Sequence, residues 1–283
     1  MMVRAALAQA AEQIAPVSDT PALDAELLLA RISGWNRARI MVEKQSELPA
    51  TMLAPFQTLI ERRGRGEPLA YICGEREFWS LPLKVTPDVL IPRPETETLV
   101  EWALEILERR GAAPCIADLG TGSGAIALAL ASERPDAQVV AVDSSGAALA
   151  LARDNAAALG LSNVAFAEGD WLQPLAGQRF DLIVSNPPYV APADPHLDAL
   201  RHEPQLALVA DDSGLACLRR IIATAPAQLQ AGAALLLEHG FDQAEAVADL
   251  LRTAGFQQVV TRPDLAGVPR VTGGFWPEPN HER

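Results

Sequence analysis

The sequence holds 283 residues, 49% apolar and 21% charged, with a formal net charge of -13 and a mean hydropathy of +0.10. That composition describes an alanine-rich globular chain with room for a sizeable core, in one large or two ordinary domains. It argues against a broad basic face for nucleic acid: Lys and Arg number 8 against 9 Asp and Glu in residues 1–75, and 15 against 27 beyond. No apolar run reaches membrane-spanning length, and the stretch after Arg4 is broken by Gln9, Glu12 and Gln13, a poor core for a secretory signal. Cys73, Cys115 and Cys217 are odd in number and widely spaced, and form no metal pattern with the four histidines. No metal and a reducing, cytoplasmic setting are expected.

In chain order, residues 2–15 are helix formers ended by Pro16. Thr20 then reads as a cap with Pro21 at the first helical position, opening a helix to about Ser33 that Gly34 stops. Leu53, Phe56 and Ile60 have helical spacing within 50–63. Three or four short helices thus make residues 1–75 a small bundle for partner recognition or support. Arg62, Arg63 and Arg65 form a small basic cluster, read as the cationic end of a helix rather than a nucleic-acid footprint. Residues 76–94 turn aromatic and alternating, as in a β-hairpin connector. Within them Arg93 sits between Pro92 and Pro94, suited to a surface ion pair or to a positioned role. A helix with Leu99, Trp102, Ala103, Ile106 and Leu107 on its inner face follows.

From residue 115 the pattern becomes strand, helix, strand, the mark of a parallel sheet covered on both faces. Seven strands are expected at 115–119, 138–142, 164–167, 181–185, 233–238, 256–261 and 270–275, with helices near 124–132, 146–159, 214–229 and 242–254. The first strand leads into Asp118-Leu119-Gly120-Thr121-Gly122-Ser123-Gly124, where glycines let the backbone turn tightly and approach a ligand. Asp143, ending the second strand, could take ribose hydroxyls, so the loop suits NAD or S-adenosylmethionine equally. Asp170 and Trp171, after the third strand, could meet an adenine ring, and Asp170 could as well be a helix cap.

The fourth strand separates these cofactors. Leu182, Ile183 and Val184 run into Asn186-Pro187-Pro188-Tyr189, where two prolines end the strand at the edge of the sheet that usually binds ligands. A dehydrogenase has no evident need for that exit. Ala191-Pro192-Ala193-Asp194-Pro195 then reads as a mobile loop bordering the pocket.

Together these motifs resemble class I S-adenosylmethionine-dependent methyltransferases acting on a planar nitrogen. More narrowly they resemble the peptide-chain release factor glutamine methyltransferases (HemK/PrmC family). The likeness runs from Glu75-Arg76-Glu77-Phe78-Trp79 through Ile91-Pro92-Arg93-Pro94-Glu95-Thr96-Glu97 to Arg201-His202-Glu203-Pro204 and Leu237-Glu238-His239-Gly240. Pro94 favours the release-factor branch over the ribosomal-protein glutamine methyltransferases; Ser213 stands where an aspartate is usual.

The resemblance implies a Rossmann-like, seven-stranded α/β domain over 95–283, preceded by the helical domain 1–75 and the hairpin connector 76–94. It implies S-adenosylmethionine held by Asp118, Gly120, Thr121, Gly122, Gly124, Asp143, Asp170, Trp171 and Asn186. Methyl transfer to a glutamine amide in a Gly-Gly-Gln sequence would fall to Asn186, Pro187 and Tyr189. Asn186 Oδ1 and the Pro187 carbonyl would accept the two amide hydrogens, and Tyr189 would pack on the amide plane. Pro188, Arg93 and Glu203 complete the substrate side, with Glu203 and Glu238 orienting loops and His202 and His239 structural. The expected partner is a release factor met by a monomeric enzyme, without direct nucleic-acid or membrane contact. A ribosomal-protein glutamine or a nucleic-acid amine such as adenine N6 is the alternative acceptor.

Overall fold

A computed structural model describes residues 1–278, and the chain divides after Glu75 into two compact units. The first contains α1 (Val3–Ile14), α2 (Pro21–Ser33), α3 (Arg37–Val42), α4 (Ala50–Gly64) and α5 (Leu69–Cys73). Apolar residues at helical spacing meet in one core that includes Ile14, Leu28, Leu29, Ile40 and Ile60. Each such side chain contributes about 1.5–3 kcal/mol by leaving water.

Two local expectations change here. The Thr20 side chain does not cap α2; its hydroxyl donates to Asp24 Oδ1 at 3.4 Å, and Pro21 sets the first turn. The periodicity also leaves α3 and α5 unmarked because each is shorter than two full turns. The basic cluster is occupied internally: Arg62 pairs with Glu67, and Arg63 donates to Asp24 at 2.8 Å and to the Val17 carbonyl at 2.9 Å.

At the division the chain enters a hairpin of β1 (Glu75–Phe78) and β2 (Leu81–Lys84), all but Glu75 belonging to the second unit. Its tip residues, Trp79 and Ser80, both have positive φ (53° and 58°), as two-residue hairpins of the favoured twist require, but without the usual Asn or Gly. Trp79 is held from both ends: its N–H donates to Glu97 at 3.0 Å and its indole Nε1 to Glu133 at 2.8 Å.

After α6 (Glu97–Leu107) come β3 (Cys115–Leu119), α7 (Ala125–Glu133), β4 (Gln138–Asp143), α8 (Gly146–Leu159), β5 (Val164–Glu168) and β6 (Phe180–Ser185). The unit continues with α9 (Ala216–Thr224), β7 (Leu229–Glu238), α10 (Ala244–Thr253), β8 (Gln257–Pro263) and β9 (Pro269–Phe275). The seven-stranded sheet has the order β5-β4-β3-β6-β7-β9-β8, parallel except for β9, which runs against both neighbours.

Strand residues alternate between two cores. Ile116, Leu182, Val184 and Leu236 pack on one face with α6 and α7; Ala117, Ile183, Leu235 and Leu237 pack on the other with Leu218, Ile221, Val247 and Leu251. Burial on both faces explains the unbroken apolar runs of the sequence. Every residue of α7 from Ala125 to Ala131 is buried, which its Ala, Leu and Ile composition permits on all sides.

Most boundaries fall within two residues of expectation, and two elements differ by more. β7 begins at Leu229 rather than 233. The helix expected over 214–229 is confined to α9, because Asp212, Ser213 and Gly214 all take positive φ before it and Pro226 lies in the tighter turn that follows.

Candidate active site

At β3 and β6 the sheet reverses its winding, and the connections leave to opposite sides, opening a crevice at the carboxyl ends of these strands. Leu119 and Ser185 are register partners there, and the Ser185 hydroxyl donates to the Leu119 carbonyl at 2.6 Å, tying the two strand ends together.

On the β3 side the chain turns at once into the glycine-rich loop. The N–H groups of Gly120 and Thr121 donate to the Val142 carbonyl at 2.8 and 2.9 Å. Gly120 has φ +73°, a conformation that other residues rarely adopt, and the Trp171 indole lies over it, its Cζ3 3.4 Å from where a Cβ would stand. Asp143 accepts from Gly122 N and Ser145 N, both at 2.9 Å, which fixes its carboxylate at the end of β4. Beneath the loop Asp118 is fully buried. Its Oδ2 accepts from Thr121 Oγ1 at 2.6 Å and from Ala127 N at 3.2 Å, while Oδ1 has no partner. Burial pushes its carboxyl up to about 7, with the nearby charge of Asp143 acting in the same direction.

On the β6 side the prolines free the chain from the sheet and leave Asn186 at the edge of the crevice. Its Nδ2 donates to Thr96 Oγ1 at 3.2 Å; Oδ1 has no hydrogen-bond partner among the described residues. The Tyr189 hydroxyl donates to Glu238 Oε1 at 3.3 Å, and the Tyr189 carbonyl accepts from Gln243 Nε2 at 3.0 Å. Gly214 closes over this turn: a Cβ there would stand 2.1 Å from the Tyr189 carbonyl oxygen. Glu238 is 1% exposed, and burial pushes it up to about 7 against the pull of the Thr96 and Tyr189 hydroxyls and of Arg270. Burial likewise raises the Tyr189 phenol, which stays protonated.

The two sides enclose a cavity of about 520 Å³ lined by Gly120, Thr121, Gly122, Asp143, Asp170, Trp171, Asn186, Pro188 and Arg93 among the residues the sequence singles out. The volume and mixed lining suit a nucleoside-sized ligand. A family model described as the PrmC N-terminal domain matches residues 5–74, and one described as the methyltransferase small domain matches residues 99–203. The release factor glutamine methyltransferase of Xylella fastidiosa (strain Temecula1) is 51% identical over 279 residues, 96% of this chain and 98% of that protein. The chain belongs to the release factor glutamine methyltransferase family.

The enzyme of the same name from Escherichia coli (strain K12) is 48% identical over 260 residues, 91% of this chain and 93% of that one. Among solved structures, a methyltransferase from Pyrococcus furiosus overlays with a TM-score of 0.52 at 17% identity, covering 70% of this chain and 90% of that one, a likeness of fold. With the methyltransferase small domain matched and the strand order described above, the sheet of this glutamine methyltransferase family member is the class I, Rossmann-like one.

Five residues named from the sequence stand outside the cavity lining. Asp118 and Gly124 lie behind the glycine loop, Gly124 as the φ +88° residue that opens α7. Pro187 is buried, and Tyr189 turns its hydroxyl to Glu238. Glu203 is spent on the chain itself: it pairs with Arg93, and its Oε2 accepts from Ile91 N at 3.1 Å. That clamp holds the segment before α6 against residues 201–204. Asp170, open to two readings, caps no helix and instead pairs with Arg220.

The loop expected to border the pocket, 191–195, does not line it. That border is formed by Pro204, Leu206, Ala207 and Val209, because Val190 forms a β-bridge to Val209 and draws this later stretch over the crevice. His239 is neutral and structural, its pKa lowered by burial and its Nε2 2.7 Å from Thr272 Oγ1. Ser213 keeps the turn through its carbonyl, which accepts from Gln243 Nε2 at 3.3 Å. Thr96 and Cys217 line the cavity and were not singled out as site residues; Thr96 stood only within the Ile91 to Glu97 motif, with no role of its own.

Proposed function

We propose that this chain transfers a methyl group from S-adenosylmethionine to the side-chain amide nitrogen of a glutamine in the Gly-Gly-Gln sequence of a peptide-chain release factor. The observation that carries the reading is the attitude of Asn186: its Nδ2 is committed to Thr96, so its Oδ1 is left as a free acceptor at the cavity.

The site suits the donor. The Asp143 carboxylate, oriented by two backbone N–H groups, keeps lone pairs for ribose hydroxyls; Gly120, Thr121 and Gly122 offer close backbone approach; Asp170 and Trp171 flank the place for the base. When bound, S-adenosylmethionine supplies an electrophilic methyl on a sulfonium. Asp118 and Gly124 serve by bracing the loop rather than by touching the ligand.

A carboxamide nitrogen is a weak nucleophile because its lone pair is shared with the carbonyl. Asn186 Oδ1, with the Pro187 carbonyl beside it, accepts the amide hydrogens, fixes the nitrogen and stabilises the positive charge that grows on it. No strong base is needed first, since the proton leaves an already acidic N-methylated cation. Tyr189 stiffens this turn through Glu238, and Arg93 with Glu203 fixes the neighbouring segment. The acidic balance of the chain favours a protein acceptor over a nucleic acid.

The test is incubation with tritiated methyl donor and, separately, release factor, ribosomal protein and DNA, followed by mass spectrometry. Label on the glutamine of Gly-Gly-Gln is expected; label confined to ribosomal protein or DNA overturns the reading.

A further inference from the structure

Behind Asn186 lies a short buried cluster of polar side chains whose protonation bears on which end of the Asn186 amide faces the cavity. Thr96, 4% exposed, sits in the turn Pro94–Thr96 before α6; Glu238, 1% exposed, ends β7; Tyr189 closes the far side. A hydroxyl has one proton to give. If Thr96 accepts from Asn186 Nδ2, its own hydroxyl hydrogen is free to donate elsewhere. The buried Glu238 carboxylate, which the Thr96 hydroxyl pulls toward ionisation and whose Oε2 has no hydrogen-bond partner among the described residues, is the acceptor available to it.

We infer that Thr96 and Glu238 are positioning residues for the Asn186 amide: ionised Glu238 accepts a hydrogen bond from the Thr96 hydroxyl, Thr96 Oγ1 is thereby left to accept from Asn186 Nδ2, and Asn186 Oδ1 is turned to the cavity. It rests on the reading of Asn186 as acceptor for the substrate amide. The opposite polarity follows from a protonated Glu238. Its O–H would donate to Thr96, Thr96 would donate to Asn186 Oδ1, and the Asn186 amino group would face the cavity, donor against donor with the incoming NH₂.

The groups bearing on Glu238 are the Thr96 and Tyr189 hydroxyls, the Arg270 cation, which favours ionisation but is itself paired with Asp264 at 3.4 Å, and the Glu95 carboxylate, which opposes it. Burial is the largest influence and brings the carboxyl to about 7, so both polarities fall within the working pH range of a protein. Tyr189 donates to Glu238 Oε1 and stays protonated, which leaves Glu238 the switching member.

Four variants of the full chain test this, with a release factor as methyl acceptor and kcat, KM and cofactor affinity measured across pH 5.5–9. Thr96→Val, which keeps shape and removes the hydroxyl, is expected to lower kcat about 10- to 100-fold with both KM values within about twofold, and Thr96→Ser to restore it to within about threefold. Glu238→Gln is expected to abolish the rise of kcat through about pH 7 that the parent protein shows. Asn186→Ala separates the two levels. If it loses no activity, the reading of Asn186 is wrong. If it does while Thr96→Val stays within twofold of the parent, or Thr96→Ser is as impaired as Val, the positioning role is wrong. Should Thr96→Val fail to fold, Glu238→Gln decides alone: an unchanged pH profile overturns the inference.

Discussion

The glycine-loop wall of the cavity is assembled from neighbours in the chain, whereas the opposite wall is assembled from strangers. Thr121 reaches Asp118 three residues back, Ala127 reaches it from nine residues away, and Gly122 meets Asp143 across 21. Asn186 depends on Thr96, 90 residues earlier; Tyr189 on Glu238, 49 later; Ile91 and Arg93 on Glu203, more than 100 later. The first wall is mostly backbone, which any strand–loop–helix of this shape provides. The second is mostly side chain, and it forms only once the whole sheet has closed. Each wall rests on one buried carboxylate held near neutrality, Asp118 on one side and Glu238 on the other. On the proposed reading, generic binding and particular chemistry are thus built by different physical means.

The largest effect expected concerns those carboxylates. Asp118 has a folded-state pKa of about 7 against an ordinary 3.8, so the folded state holds its proton more tightly than the unfolded one. Its contribution is complete below about pH 4, is lost as pH rises toward 7, and is constant above. Asp118→Asn, measured by chemical denaturation from pH 4 to 8, should remove a slope worth on the order of 4 kcal/mol, leaving a smaller fall of the same sign from Glu238. A parent protein whose stability is flat over that range would show that the two walls do not share this foundation.

Next, Asn186→Ala should lower kcat by about 2.7–4 kcal/mol of transition-state free energy with donor affinity unchanged, in single-turnover assays beside calorimetry. Asp143→Ala should do the converse, weakening S-adenosylmethionine by about 2 kcal/mol, the scale of a charged hydrogen bond, with a smaller effect on the saturated rate. Unchanged affinity would erase the division of labour between the walls. The smallest effect is expected at the rim: Leu206, 71% exposed at the cavity edge, should on change to Ala raise KM for the protein substrate by about 1 kcal/mol and leave the donor untouched.

The same contrast governs what could be read from the sequence. Strands β3 to β6 and the loop residues Gly120, Gly122 and Asp143 were legible because apolar runs, glycines and strand-end carboxylates act at short range. Thr96 was not, since nothing within a few residues of it marks a partner 90 positions away. Tyr189 could be placed on its loop, but its side-chain direction depends on where β7 delivers Glu238. The border at 204–209 was missed in favour of 191–195 for a similar reason: Pro and Ala content reports turn preference, while the Val190 to Val209 bridge decides which stretch covers the crevice. Helix ends failed where backbone signs conflict, as at Asp212 and Ser213, non-glycine residues with positive φ.

The Leu119 to Ser185 register, fastened by the Ser185 hydroxyl, has a consequence for how such enzymes diversify. On the proposed reading, donor and acceptor loops spring from adjacent strands about 4.8 Å apart, and the sheet would then act as a ruler for the gap across which the methyl passes. If the clamp of Arg93 and Glu203 and the border along 204–209 receive the acceptor as proposed, substitutions there would recast which planar nitrogen is admitted while that gauge stays constant. New substrates can then be tried without rebuilding the reaction.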